Sequence, residues 1–201
     1  MIMMTPENRV FAMTTDRDRW NAKFTRGEAQ STSPDSFLVE TCSALPPGRA
    51  LDLAGGAGRH ALWLAERGWR VTLADISDEG LAIARRRAIQ AGLSIATRRQ
   101  SAAETLAWAA QNPNRFDLIV VFWCLLRGSF AEFPHALAPG GLLVYKTYTS
   151  DHDRYREGHS LSTALHPDEL RIAFPALNAL TDRESGGIAE LLARREANAD
   201  R

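Results

Sequence analysis

The sequence predicts an α/β fold, a doubly wound, mostly parallel sheet with helices on both faces. Three observations carry that expectation. Short apolar runs alternate with stretches of helical spacing along most of the chain. The first of these runs, Ala50-Leu51-Asp52-Leu53-Ala54, leads into a turn with glycine at 55, 56 and 58, and then into Ala61 to Arg67, which has helical spacing and stops at Gly68. A second run, Trp69 to Ala74, ends on Asp75. Glycines in such a turn let the backbone bend sharply and let a ligand approach bare N–H groups. An acid at the tip of the second strand is placed to accept hydrogen bonds from both hydroxyls of a ribose. The unit therefore reads as a nucleoside-cofactor site.

Bulk composition bounds the rest. A chain of 201 residues with 45% hydrophobic content suffices for one domain with a sizeable core. Basic and acidic residues balance at 24 each, which gives no electrostatic case for nucleic acid or an anionic membrane as partner. Cys42 and Cys124 lie far apart without metal-type spacing, so free thiols are expected rather than a disulfide scaffold. Met1 to Pro6 holds no apolar stretch long enough for a signal peptide, and the longest apolar run, Leu118 to Leu126, is too short for a membrane span. The expectation is a cytoplasmic protein; oligomeric state is not legible.

The elements follow in order. Residues 1–32 read as an N-terminal arm, with a helix over Asp16 to Phe24 that puts Trp20 and Phe24 on one face. That face either packs on the sheet or closes over a cofactor as a lid. Pro34 is read as the first helical position of a helix over Asp35 to Leu45, stopped by Pro46-Pro47-Gly48. Ser77 is the expected N-cap of a helix running to Ala91 and ended by Gly92, with Arg85-Arg86-Arg87 read as a solvated face. A third strand is expected over Leu93 to Gln100, and Ser101 with Glu104 matches a capping box for a helix to Gln111. Asn112-Pro113-Asn114 reads as a turn, Phe116 to Phe122 as the fourth strand, Phe130 to Leu137 as a helix, Pro139-Gly140-Gly141 as a turn and Leu142 to Tyr148 as the fifth strand. Residues 149–166 read as a loop, and His166-Pro167-Asp168-Glu169 opens a helix to Phe174. Leu177 to Leu180 and Ile188 to Ala193 are the last strand candidates, so that a domain over 33–195 is followed by a frayed tail, 196–201. In a sheet of this kind ligands bind at the carboxyl ends of the strands. The residues that matter should then lie at 52–59, 75–76, 100–102, 122–127 and 146–152.

Gly56-Ala57-Gly58-Arg59-His60-Ala61 also fits the dinucleotide pattern G-x-G-x-x-G/A, which keeps an NAD(P)-dependent oxidoreductase as an alternative. Against it, Asp52 inside the first strand would repel a nearby pyrophosphate, whereas the same carboxylate suits the ammonium of an amino acid. No second substrate domain follows in the sequence.

Leu51-Asp52-Leu53-Ala54-Gly55-Gly56-Ala57-Gly58-Arg59 resembles motif I of the class I S-adenosylmethionine-dependent methyltransferases, an acid followed by G-x-G-x-G, with Ala54 in place of the first glycine. Val71 to Ser77 is similar to the ribose-binding strand end of that family, Phe116 to Val121 to its fourth strand, and Leu137 to Leu143 to the approach to its fifth. Trp20-Asn21-Ala22-Lys23-Phe24, Ala61 to Gly68 and His166-Pro167-Asp168-Glu169-Leu170 resemble the small tellurite-resistance-type members. The resemblance implies a seven-stranded Rossmann-like sheet with an antiparallel C-terminal strand. It also implies that Asp52 and the loop with Ala54, Gly55, Gly56, Gly58 and Arg59 hold the methionine part of S-adenosylmethionine. Asp75 and Ile76 would hold the ribose end, and Ser101 with Ala102 would edge the adenine. The capping box explains Ser101 without a ligand, and Arg59 reads equally as a helix-start arginine facing solvent.

Methyl transfer from a sulfonium is an in-line displacement that asks mainly for alignment and exclusion of water. A dedicated acid–base pair is therefore not required. The substrate wall is expected from Phe122, Trp123, Arg127 and Tyr148, with aromatic faces near the cationic sulfur. Trp123 could also be ordinary core, and Arg127 either holds an anionic acceptor or lies on the surface. His152 and His159 are loop histidines that could act as bases. The resulting reading is a methyltransferase acting on a small-molecule acceptor; a macromolecular acceptor and a non-catalytic S-adenosylmethionine-binding protein are the other readings.

Overall fold

The computed structural model describes residues 15–112, 116–156 and 161–197. Its centre is a seven-stranded sheet of β1 (Arg49–Leu53), β2 (Arg70–Asp75), β3 (Ala96–Arg99), β4 (Phe116–Phe122), β5 (Leu137–Tyr148), β6 (Asn178–Ser185) and β7 (Ile188–Arg194). The strand order is β3-β2-β1-β4-β5-β7-β6. β1 to β5 run parallel, and β7 is antiparallel to both β5 and β6. The order reverses between β1 and β4, the switch point where such sheets open a crevice for ligands.

The apolar runs are explained by burial on both sheet faces. Along β4, Leu118, Val120 and Phe122 pack with α2 (Ser36–Cys42), α3 (Arg59–Glu66) and α4 (Asp78–Gln90). Ile119 and Val121 pack with α5 (Ala102–Gln111), α6 (Phe133–Ala136) and α8 (Glu169–Ile172) on the other face. α1 (Asp16–Thr25) lies outside these layers and sends Phe24 onto Ala57 and Ile83.

Several elements differ in extent from the sequence reading. Pro34 is not in the helix: the Asp35 carboxylate caps α2 by accepting from the Phe37 N–H at 3.0 Å. β3 starts late because the Leu93 N–H closes the end of α4 on the Ala88 carbonyl. Pro139-Gly140-Gly141 is a bulge inside β5 rather than a turn before it; Phe116 pairs with Leu137 but Leu118 with Leu142. The expected helix over 130–137 is a 3-10 turn, Arg127–Glu132, running into the short α6. The 149–166 loop carries α7 (Asp153–Arg156) and a 3-10 turn, Leu161–Thr163. The loop over Pro113 and Asn114, His159, and most of the expected tail (198–201) lie outside the described residues. Among the described residues, no helix is long and apolar enough to cross a membrane.

Candidate active site

At the carboxyl ends of β1, β2 and β4 the chain opens a cavity of about 600 Å³, within the usual range for small-molecule sites. Asp52, Ala54, Gly55, Arg59, Asp75, Ile76, Ser101, Ala102, Phe122 and Trp123 all line it. The structure thus brings together most of the residues singled out in the sequence.

The turn after β1 shapes the inner end. A Cβ on Gly55 would stand 2.4 Å from Asp52 Oδ2 and 2.3 Å from Leu73 Cδ1, so only glycine lets the chain pass over the carboxylate. Ala54, where the resembled motif has glycine, sits at φ +55°, a left-handed conformation that costs an alanine about 1 kcal/mol. Gly56 and Gly58 stand behind the wall: Gly56 gives its N–H to Asp75 Oδ2 at 2.8 Å, and Gly58, at φ +81°, starts α3.

Asp52 is buried. Its Oδ2 accepts the Ala61 N–H at 3.1 Å, while Oδ1 has no partner among the described residues. Burial is the main reason its pKa rises to about 7; the Ala61 bond and Arg59 oppose the rise, and Asp75 adds to it. Asp75 is also raised by burial, against the N–H groups of Ser77, Gly56 and Ile76 that hold the charged form. The Ser77 bond is 2.7 Å. Arg59 opens α3, and among the described residues its guanidinium has no hydrogen bond or ion pair.

Ser101 is committed elsewhere. Its hydroxyl caps α5 on the Glu104 N–H at 3.2 Å, and its own N–H donates to Glu104 Oε2 at 3.1 Å. The neighbouring Ala102, first residue of α5, is placed where helices leave N–H groups unpaired.

The outer wall is Phe122, Trp123, Cys124, Leu125 and Leu126. Trp123 has φ +61°, strained for a bulky residue and of the kind found at functional sites. Its N–H donates to the Lys146 carbonyl at 2.8 Å, and Lys146 Nζ stands 5.3 Å from its ring. Tyr145 holds the bend: its hydroxyl donates to the Cys124 carbonyl at 2.7 Å and accepts the Leu126 N–H at 3.0 Å. The Cys124 thiol is pushed up to about 11 by burial, so it stays protonated.

Two expected wall residues lie elsewhere. Arg127 is not in the lining. Its Nη2 pairs with Glu169 Oε2 at 2.7 Å and donates to the Ala164 carbonyl at 2.9 Å, which consumes the charge an anionic acceptor would need. Tyr148 stands behind Trp123, ring centroids 4.5 Å apart. His152 meets Tyr148 edge to face, ring centroids 4.6 Å apart, with Nδ1 accepting the Arg154 N–H.

Other residues were missed in the sequence. His60 lines the cavity. So do Ser162 and Thr163, which no motif marks. Trp20 and Phe24, the face of α1 raised as a possible lid, line it as well. Phe24 is wedged so closely that a Cβ on Gly56 would meet its Cζ at 2.8 Å and one on Gly80 its Cε2 at 2.9 Å. α1 is tied down further by Asn21 Oδ1, which accepts from Ser77 Oγ at 2.6 Å. Arg87, read as part of a solvated face, instead bonds the Ala57 carbonyl at 3.2 Å and the Gln30 carbonyl at 2.8 Å. Nothing in its local spacing marks it off from Arg85 and Arg86.

Comparison with known proteins agrees with this geometry. A family model described as a methyltransferase domain matches residues 50–141. No curated protein is similar in sequence at a significant level. TehB from Haemophilus influenzae has a similar fold, with a TM-score of 0.70 at 19% identity over 88% of this chain and 67% of that one. So does the N-methyltransferase NodS from Bradyrhizobium japonicum in complex with S-adenosyl-L-homocysteine, with a TM-score of 0.59 at 20% identity over 90% and 88% of the two chains. A third is an S-adenosylmethionine-dependent methyltransferase from Clostridium acetobutylicum, with a TM-score of 0.63 at 16% identity over 89% and 97%. Residues 50–141 thus match the model of a methyltransferase domain, and the chain shares the fold of these structures.

Proposed function

We propose that the protein transfers the methyl group of S-adenosylmethionine to a small-molecule acceptor in the cytoplasm. The observation that carries this reading is that two buried carboxylates, Asp52 and Asp75, and an aromatic wall, Phe122 and Trp123, face one cavity of cofactor-and-substrate size. The residues present fit the cofactor. Asp52 Oδ1, buried without a partner, suits the ammonium of its methionine part, and the unpaired Arg59 suits the carboxylate. Three backbone N–H groups point at the two Asp75 oxygens, Gly56 at Oδ2 and Ser77 at Oδ1 among them, which leaves acceptor capacity for a ribose hydroxyl. Ile76 flanks the base, and Ala102 rather than Ser101 offers the N–H to its edge.

When bound, the cofactor supplies a methyl group on a positively charged sulfur, already activated for displacement. The chain's own part is alignment and dryness. Trp123 and Phe122 present faces that favour a cation and exclude water. α1, with Trp20 and Phe24, serves as the cover of the cofactor side, and Tyr148 backs Trp123. A charge-balanced chain offers no field for a polyanionic substrate, which favours a small acceptor.

Calorimetric titration with S-adenosylhomocysteine, NAD and NADP tests the cofactor. Micromolar binding of the first alone is expected. Binding of a nicotinamide cofactor alone would replace this reading by an oxidoreductase. Cofactor binding without turnover on any acceptor would leave a non-catalytic binding protein.

A further inference from the structure

His60 is the buried polar side chain in the cavity wall for which the cofactor reading has no use. It is 3% exposed, lies one residue into α3, and stacks on Phe122 with ring centroids 4.2 Å apart. Its Nε2 is buried and has no hydrogen-bond partner among the described residues. Buried ring nitrogens ordinarily find partners, so an orphan in a cavity wall points to a group that arrives with the ligand. The torsion that turns an imidazole is soft and broad, so this nitrogen can be brought to face the cavity.

The surroundings say what kind of group. Lys146, the cation nearest Trp123, is neutralised between Asp35 and Glu190, each at 2.9 Å. Arg127 is held by Glu169, and Cys124 stays a neutral thiol. Among the described residues, the acceptor end therefore offers a largely aromatic and aliphatic wall, no unpaired charge, and one unsatisfied imidazole. Burial, Arg59 and Lys146 push the His60 pKa down to about 3, with Asp35 opposing, so the ring is neutral and can accept a hydrogen bond.

We propose that His60 is a catalytic residue on the acceptor side, taking the hydrogen bond of an O–H or S–H group on a small neutral acceptor seated against Phe122 and Trp123. This rests on the methyltransferase reading. In the step, a lone pair of the acceptor's oxygen or sulfur forms the bond to the methyl carbon. The carbon–sulfur bond of the donor breaks, and its electron pair stays on the donor sulfur. The acceptor's proton passes to His60 Nε2 and then to water. A weak base suffices here, because an oxygen or sulfur that has gained a methyl group while still carrying its proton is a strong acid. An amine attacks as the free base, and its methylated product leaves as a stable ammonium, so it needs no base in the step. His60 therefore serves hydroxyl or thiol acceptors and is dispensable for amines.

Phenol, thiophenol and aniline, similar in shape, make the test. Each is supplied with S-adenosylmethionine to the wild type, His60→Phe and His60→Gln, and S-adenosylhomocysteine affinity is measured alongside. Methylation of phenol or thiophenol is expected to depend on His60, and any methylation of aniline is not. His60→Phe should lower that rate about a hundredfold while keeping cofactor affinity within about twofold. His60→Gln, whose amide oxygen can accept the same bond, should recover part of the rate. Unchanged phenol or thiophenol turnover in His60→Phe, an equal fall in aniline turnover there, no methylation of phenol or thiophenol, or loss of cofactor affinity in His60→Phe would each overturn the proposal. If His60→Phe does not fold, His60→Leu replaces it, and an unchanged rate there overturns the proposal equally. A wild type that fails to bind S-adenosylhomocysteine is a separate result, the failure of the methyltransferase reading itself.

Discussion

The two ends of the cavity are built in opposite ways. The end proposed for the cofactor comes from consecutive residues at two strand ends, 52–59 and 75–77, and among the described residues it leaves polar groups unspent: Asp52 Oδ1, Arg59 and the remaining acceptor capacity of Asp75. The outer end also has a wall of consecutive residues, 122–126, but the charges around it are cancelled by partners far apart in the chain. Lys146 meets Asp35 across a sequence separation of 111 residues, and Arg127 meets Glu169 across 42. The contrast teaches that one end is made to receive charge from a ligand, while the other is made to be dry and electrically quiet.

The largest expected effect would break the cofactor end alone. Asp75→Ala removes an acceptor of two charge-assisted bonds and should weaken S-adenosylhomocysteine binding by about 2–4 kcal/mol in calorimetry. Because the Gly56 and Ser77 N–H groups also lose their partner, the melting temperature should fall too. Unchanged affinity would remove the ribose role.

At the acceptor end, Lys146→Met leaves Asp35 and Glu190 facing each other without their cation. We expect a stability loss of about 2–3 kcal/mol in urea denaturation, with cofactor affinity nearly intact. A large loss of cofactor affinity would show that the two ends are not separable.

Asp52 gives a pH signature that belongs to the cofactor end. Its folded pKa, about 7, is above the ordinary value of 3.8, so between these values the folded state binds more protons than the unfolded one. Stability from this group is therefore greatest below the unfolded value and falls as pH rises towards 7. Cofactor binding should move the other way, because an ammonium needs the ionised carboxylate. We expect affinity about tenfold weaker at pH 6 than at pH 8, and Asp52→Asn should flatten both trends. Affinity independent of pH in the wild type would place the ammonium elsewhere.

The smallest effect is expected for Arg127→Ala. Its pair with Glu169 is partly exposed, 41% and 16% at the two side chains, so the loss should be about 1 kcal/mol or less. Cofactor affinity should stay the same. A marked loss of acceptor turnover would return Arg127 to the acceptor wall.

Legibility in the sequence follows the same division. β1, β2 and β4 were readable because central parallel strands bury both faces and therefore show as mostly apolar runs. Ser77, Ser101 and Glu104 were readable because capping is a contact across three residues. β6 was read too short, since it is an exposed edge strand with almost no buried face to pattern it. Arg87 was misread, because its partners, the carbonyls of Gln30 and Ala57, are brought to it only by packing of distant segments.

By itself the sequence determined the βαβ unit, the glycine turn and the acid at the end of β2. These depend on local backbone conformation and on contacts between near neighbours. Only the tertiary structure decided that Arg127 is spent on Glu169, that Lys146 is neutralised, that Phe24 is wedged over Gly56 and Gly80, and that His60 stands in the cavity wall with an unpartnered nitrogen. Which charges cancel and which polar atoms stay unsatisfied depends on which distant segments meet, and spacing along the chain carries no record of that.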